Sequence, residues 1–243
     1  FHIWGCPDHL ATNYDGEANT NDGSCTYPDN GDYSLSFDGV DDYVDFGDFG
    51  DIEDATIEIS FKYTNTVDMQ SGGYMGLFDK EGTTPWGNGN AWVFTIAGNE
   101  TEVNELKFGI GTHHTTSINL TALNIDHDIW YHASMTRNST TGMVKLYVNG
   151  VLVDSKIGDT GLIDNDNSLW LGLYPSAHSD GNFYQGFIDK ARIWERILTA
   201  EEIQLNYEND SLEDETGLNA YWKFDENDGG TTAYDHSGNQ NHG

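Results

Sequence analysis

The feature that most constrains this chain is a series of short runs in which apolar and polar residues alternate. YSLSF (33–37), YVDF (43–46), TIEISFKY (56–63), YMGLF (74–78), AWVFTIA (91–97), ELKFGI (105–110) and WYHASM (130–135) each carry that period of two. It is the period of a strand with one face buried. VKLYV (144–148) and VLVDS (151–155) flank Asn149-Gly150. That pair supplies the two positive φ angles of a tight hairpin turn. LWLGLY (169–174) and FYQGFIDKARIW (183–194) add further strands. Turn clusters separate the runs and no long helix intervenes, which predicts an all-β sandwich rather than alternating strands and helices.

One short helix is expected after Thr199, with Glu202 closing a capping box and Ile203 with Leu205 or Tyr207 as its apolar face. The chain of 243 residues then divides into a cysteine segment (1–29), a sandwich body (30–210), and a tail (211–243). The tail holds an acidic linker, one more strand at LNAYWKF (218–224) and a turn-like end. The length suits one large sandwich with a small appendage.

Acidic residues number 41 against 10 Lys and Arg, for a formal charge of -31. Such a surface repels nucleic acid and anionic lipid. Two readings of the acidity stand side by side: a solvated surface suited to salty water, and carboxylate clusters that hold calcium, a hard cation that takes oxygen ligands. No apolar run is long enough to span a membrane. The chain neither begins with Met nor shows a signal peptide, and a processed or excised chain accounts for both. Asn99, Asn119, Asn138 and Asn209 lie in glycosylation sequons.

Cys6 and Cys25 bracket a Gly-, Asn- and Asp-rich loop with almost no core of its own. A disulfide staple is expected there, worth about 3 kcal/mol for a loop of that size. It implies an oxidising, extracellular or cell-surface setting. Zinc is not expected, because His2 and His9 complete no recognised spacing. Residues 5–28 also resemble a short cysteine repeat of secreted proteins of marine bacteria, with Asn13 near the place where that repeat often has a third cysteine.

Four stretches, taken in order, resemble the laminin-G-like family: LSFDGVDDYVDF (35–46), IWYHASMTRNSTTGMVKLYVNGVLV (129–153), LWLGLY (169–174) and GFIDKARIWERILTAEEI (186–203). The resemblance implies a two-sheet antiparallel, concanavalin-like jelly-roll sandwich. It also implies a structural calcium near the first and last strands, and Asp38 of FDG and Asp189 of FIDK match the motif positions. The other reading of Asp38 is a turn before Gly39. Asp41 and Asp42 are weaker candidates, since neighbours on a strand point to opposite faces. A second oxygen-rich stretch, Asp15, Glu17, Asn19, Asn21 and Asp22, has the alternation of a calcium loop but lacks its Gly and its terminal Glu. Its other reading is a polar loop held by the disulfide. Asp164-Asn165-Asp166 reads as a hairpin loop.

Catalysis is not expected. The E-x-D-x-x-E spacing at Glu208, Asp210 and Glu213 matches that of β-glucanases on related folds. It falls after the helix in a linker, where no strand holds two carboxylates at the fixed separation that glycoside hydrolysis needs. His113 and His114 diverge if extended, and His132 reads as structural. Trp130, Trp170, Trp194 and Trp222 are expected in the core. Trp86, in the Gly-rich GTTPWGNGNAW, is the candidate for an exposed sugar-stacking residue.

In the laminin-G-like family a strand like LNAYWKFDE and a turn like YDHSGNQNHG precede the strand like YSLSFDG. Here they follow it, at 218–243. The missing first strand leaves a slot that the tail fills either by folding back or by donation to the next copy, head to tail. A third reading is a slice of a longer repeat protein. The expected closure is donation, with Asp235 and Asn239 joining Asp38 and Asp189 around calcium. The functional expectation is therefore a calcium-stabilised extracellular adhesive module that polymerises with copies of itself. The alternative is a lectin-like, glycan-binding module of a larger secreted protein.

Overall fold

The computed structural model describes residues 1–51, 53–64, 74–80, 90–97, 105–112, 118–163, 166–174, 182–209, 212–226 and 229–243. A two-stranded pair, β1 (Trp4–Gly5) and β2 (Thr20–Asn21), lies in the cysteine segment. The body begins with β3 (Leu35–Asp38), β4 (Val44–Asp48), β5 (Ala55–Tyr63), β6 (Tyr74–Asp79), β7 (Asn90–Ala97), β8 (Glu105–Thr112) and β9 (Ile118–Leu123). It continues with β10 (Tyr131–Arg137), β11 (Met143–Val148), β12 (Val151–Ile157), β13 (Ser168–Leu171), β14 (Leu173–Tyr174), β15 (Asn182–Phe183) and β16 (Gln185–Trp194). Helix α1 (Ala200–Glu208) and β17 (Leu218–Trp222) complete the chain.

Two antiparallel sheets face each other. One runs β12-β11-β10-β5-β16-β17, with β3 also on β16; the other runs β4-β13-β6-β7-β8-β9. Asn149 (φ 50°) and Gly150 (φ 77°) both take the left-handed backbone that turns β11 into β12. On β5 the alternation places Ile57, Ile59, Phe61 and Tyr63 in the core with no exposure. The opposite face holds Thr56 and Glu58, which are also buried, because α1 packs over them with Trp194, Leu198 and Ile203. A run that reads as half-buried is thus covered on both sides along its first half. The helix starts as expected: the Thr199 side chain accepts from the Glu202 N–H, and the Glu202 side chain accepts from the Thr199 N–H.

The tail folds back rather than being donated. β17 pairs with the chain's own β16, with Trp222 opposite Ala191 and Leu218 opposite Trp194. Trp222 is fully buried, its ring centroid 4.1 Å from that of Phe46, and its Nε1–H donates to the Asn241 carbonyl at 2.8 Å. β3 pairs with the same edge of β16, Leu35 opposite Ile188 and Asp38 opposite Gln185. Both strands run antiparallel to β16, so β17 leads into β3 end to end. The slot is filled within the chain because the missing strand and its continuation sit on one edge.

The tryptophans divide. Trp222 lies in the main core and Trp194 in the smaller cluster under α1. Trp170 is half-buried. Trp130, expected inside, is 42% exposed, because it stands one residue before β10 where no helix covers the sheet.

Candidate functional site

At the seam between β17 and β3, three carboxylates converge. Asp32, Asp189 and Asp225 each offer an oxygen, all within 4.8 Å of one another. Asp189 sits where the register of β16 against β5 shifts between Ile188 and Ala191. Asp225 follows β17, and its Oδ1 accepts from the Tyr33 N–H at 2.8 Å, fastening the start of the body to the tail. The Asn30 N–H donates to the Asp225 carbonyl at 2.9 Å.

The electrostatics of this group are costly. Asp189 Oδ1 is buried without a hydrogen-bond partner, while Oδ2 lies 3.6 Å from Lys190 Nζ. Burial pushes the Asp189 carboxyl up to about 6; Lys190 opposes the shift, and the neighbouring Asp225 and Asp32 add to it. Asp225 is raised too, first by burial. A cation at the centre would reverse that balance. Calcium takes ligands at about 2.4 Å, so oxygens up to about 4.8 Å apart can share one ion. The donor set and the orphaned oxygen fit calcium, with carbonyls or water completing its shell.

The expected partner of Asp189, Asp38, is not among these ligands. Four positions along a strand are about 13 Å, and Asp38 stands opposite Gln185, that far from Asp189. Asp38 instead forms the turn into β4: its Oδ1 accepts from the Val40 N–H at 2.8 Å, and its own N–H donates to Asp42 Oδ2 at 2.9 Å. Asp38, Asp41 and Asp42 make a second close carboxylate group, on that turn.

Asp235 and Asn239, expected to share calcium, are occupied by the tail itself. Asp235 is fully buried. Its Oδ1 accepts from the Tyr221 and Ser237 N–H groups, and Oδ2 from the Ser237 hydroxyl and the Asn241 N–H, all at 2.9–3.0 Å. Asn239 Nδ2 donates to the Leu218 and Asn219 carbonyls. Both side chains knot the turn after β17. They lie away from Asp189 because a folded-back strand sets their place by its own pairing.

The polar loop of the cysteine segment also spends its oxygens locally. Asp15 Oδ1 accepts from the Glu17 N–H, Asn19 Oδ1 from the Ile3 N–H, and Asp22 Oδ1 from the Ser24 N–H. Among the described residues Asp15, Glu17 and Asp22 belong to no converging group of three carboxylate, His or Cys side chains. The loop is held by the Cys6–Cys25 disulfide. It is also held against the tail: His242 Nε2 lies 2.7 Å from Asp8 Oδ2, and Tyr27 stacks on Tyr234. Trp86, His113, His114, Asp164, Asn165 and Asp210 lie outside the described residues.

Two other places were not legible in the sequence. Under α1, Glu58 accepts from Ser134 Oγ, Trp194 Nε1 and Asn206 Nδ2, with Arg192 at 3.8 Å. His132 is buried beside it, its pKa lowered first by that burial. Ser134 Oγ donates to Glu58 Oε1 at 3.2 Å and lies 3.5 Å from His132 Nδ1, so the three side chains form one buried polar network. A cavity of about 480 Å³ opens among Phe49, Asp51, Glu53, Glu195 and Asn219. Its polar lining suits hydroxyl-bearing ligands.

Residues 38–204 match the laminin-G-like family model of the Concanavalin A-like lectin/glucanases superfamily. The chain belongs to this family. Solved structures share its fold at low identity. A heptameric pentraxin from Limulus polyphemus superposes with a TM-score of 0.54 at 14% identity, over 72% of this chain and 81% of that one. A Bacteroides ovatus protein described as carbohydrate-binding gives 0.57 at 16%, over 93% of this laminin-G-like chain and 63% of its own length. The CBM40 module of a Ruminococcus gnavus sialidase gives 0.51 at 13%, over 72% and 98%. No curated protein sequence matches.

Proposed function

We propose that this laminin-G-like chain is an extracellular, calcium-stabilised binding module that recognises carbohydrate and has no catalytic role. The observation that carries the binding reading is the fit to the CBM40 module of the sialidase, 98% of which is covered by this fold. The Bacteroides ovatus neighbour supports the same class. The disulfide supports an extracellular setting, and no helix among the described residues is long and apolar enough to cross a membrane.

Calcium belongs to the reading through Asp189. A buried carboxylate oxygen with no donor, beside two more carboxylates, is relieved by taking up a proton or, while charged, by a hard cation. The ion would sit at the seam and tie β3 and β17 to β16. Head-to-tail assembly is not part of the reading, because the chain's own strand occupies the slot a neighbour would fill. Glycan-array binding by the purified protein, with calcium and with chelator, tests the proposal. Binding to defined glycans supports it; no binding in either condition overturns it.

A further inference from the structure

The outer face of the seven-stranded sheet is covered by α1 along only part of its area. Beyond the helix, three side chains line up across adjacent strands. Lys62, on β5, is paired with Phe187 on β16, and Trp130 stands one residue beyond the Tyr131–Phe61 pair of β10 and β5. The Lys62 ammonium lies 5.2 Å from the Trp130 ring centroid and 4.7 Å from that of Phe187. Ser36 of β3 extends the row past Phe187. Tyr207 of α1, 44% exposed and 6.0 Å from the His132 ring, stands along one side.

The chain has 10 Lys and Arg among 41 acidic residues. Carboxylates hold most of the described cations, as Asp48 holds Lys80, Asp189 holds Lys190 and Asp29 holds Lys223. Arg137 is taken up by the carbonyls of Glu53, Asp159 and Gly161. Lys62 has no carboxylate within ion-pair distance among the described residues, and ring faces hold its ammonium instead. In so acidic a molecule, a cation framed by aromatics and left without an anion is the place where an anionic ligand meets attraction at close range. Long-range repulsion from the rest of the surface is screened beyond about 8 Å at physiological salt.

We propose that Trp130, Lys62 and Phe187 form a subsite for a sugar ring that bears a carboxylate. The proposal rests on the glycan-binding reading above and narrows it to a ligand class. The apolar face of the ring would lie on Trp130, whose exposure leaves room for it. The carboxylate would reach the Lys62 ammonium in a charge-assisted hydrogen bond. Neighbouring strands are about 4.8 Å apart, so Trp130 and Phe187 span about 10 Å, and one ring bridges the aromatic and the ammonium. Ser36 and Ser60, on the same face, are within the row's reach as hydroxyl partners. A uronic acid and a sialic acid both carry the required group.

The test is calorimetric titration of the full chain in excess calcium. Tri-galacturonate and 3′-sialyllactose are the acidic probes, and lactose and cellotriose the neutral ones. Wild type is expected to bind one acidic probe, and the probe bound identifies the source. Lys62→Met, which keeps the apolar stem, is expected to lose about tenfold or more of that affinity, and Lys62→Arg to retain most of it. Trp130→Ala should weaken it as well. Unchanged thermal melts of the lysine variants exclude misfolding as the cause. Acidic-probe binding that survives Lys62→Met overturns the subsite. So does a wild type that binds array glycans or neutral probes but neither acidic probe; that outcome leaves the glycan reading standing and turns attention to the cavity beside Phe49. A wild type that binds no glycan at all overturns both.

Discussion

Asp235 and Asp189 flank the same strand, and their surroundings are opposite. Asp235 is sealed in the turn after β17 with four donors on its two oxygens. Asp189 lies across β17, on the β16 side, with one oxygen bare and two like charges beside it. A buried carboxylate with every lone pair answered is part of the architecture. One left unanswered is stable only if something outside the chain answers it. The contrast separates structural acid from ligand-seeking acid better than any count of Asp residues.

The contrast disappears altogether if the tail is removed. Truncation after Glu215 deletes Trp222 from the core together with Asp225 and Asp235, and exposes the edge of β16. The truncated chain is expected to show no cooperative melt, and added 218–243 peptide to restore one. A truncated chain that melts like the full one would place the tail outside the fold.

Replacing Asp235 alone tests the answered side. Asp235→Ala leaves buried N–H groups without acceptors and should cost about 3–5 kcal/mol, seen as a drop in Tm of roughly 6–20 °C regardless of calcium. Breaking the disulfide should come next. Cys6→Ser with Cys25→Ser loses about 3 kcal/mol in the chain-entropy model. Because Tyr27 and Asp8 touch the tail, the loss should spread to it, read as faster amide exchange around Tyr234 and His242.

Asp189 is the unanswered side. A site filled at a hundredfold excess over its Kd adds about 2.7 kcal/mol, so calcium should raise Tm by about 5–10 °C. Asp189→Asn should abolish that gain, yet melt at or above wild type in chelator, because it removes a buried charge. A variant less stable than wild type in chelator would contradict the account. The pH dependence has a definite sign. The Asp189 carboxyl is raised from 3.8 to about 6 in the fold. The calcium-free protein therefore keeps that contribution fully below about 3.8 and loses it as pH rises through about 6. Melts in chelator across that window should show it.

The smallest effect concerns Asp8. Burial pushes its carboxyl up, but bonds from the Leu10 N–H, the Tyr27 hydroxyl and His242 outweigh burial and leave it below the ordinary value. Its contribution is present above the ordinary 3.8 and is lost as pH falls through its lower folded value. The cysteine segment should loosen from the tail in acid before the body melts, measured by amide exchange on residues 5–28.

The parts of this structure written in local pattern were legible beforehand. The period-two runs, Asn149-Gly150, the Thr199–Glu202 box and the Cys6–Cys25 pair each depend on residues close in sequence. What was not legible depends on pairing across the chain. Asp189 is a sensible metal ligand by motif, but its neighbours are fixed by where β17 and β3 meet on β16, and motif order pointed to Asp38 instead. Glu58 reads as a solvent-facing residue until α1 is laid over it. Trp130 reads as core because it falls in a strand-like run, and the strand's end leaves it bare.

The Tyr33–Asp225 hydrogen bond joins residues 192 positions apart. Bringing such distant stretches together carries a large loop-closure cost, and contacts of this range slow folding. β3 forms early in the chain and β17 late, so the joint between them is a long-range event. Three like charges meet at that joint and oppose it. A divalent cation would remove that opposition. Its presence would then ease the closing of that joint as well as hold it closed.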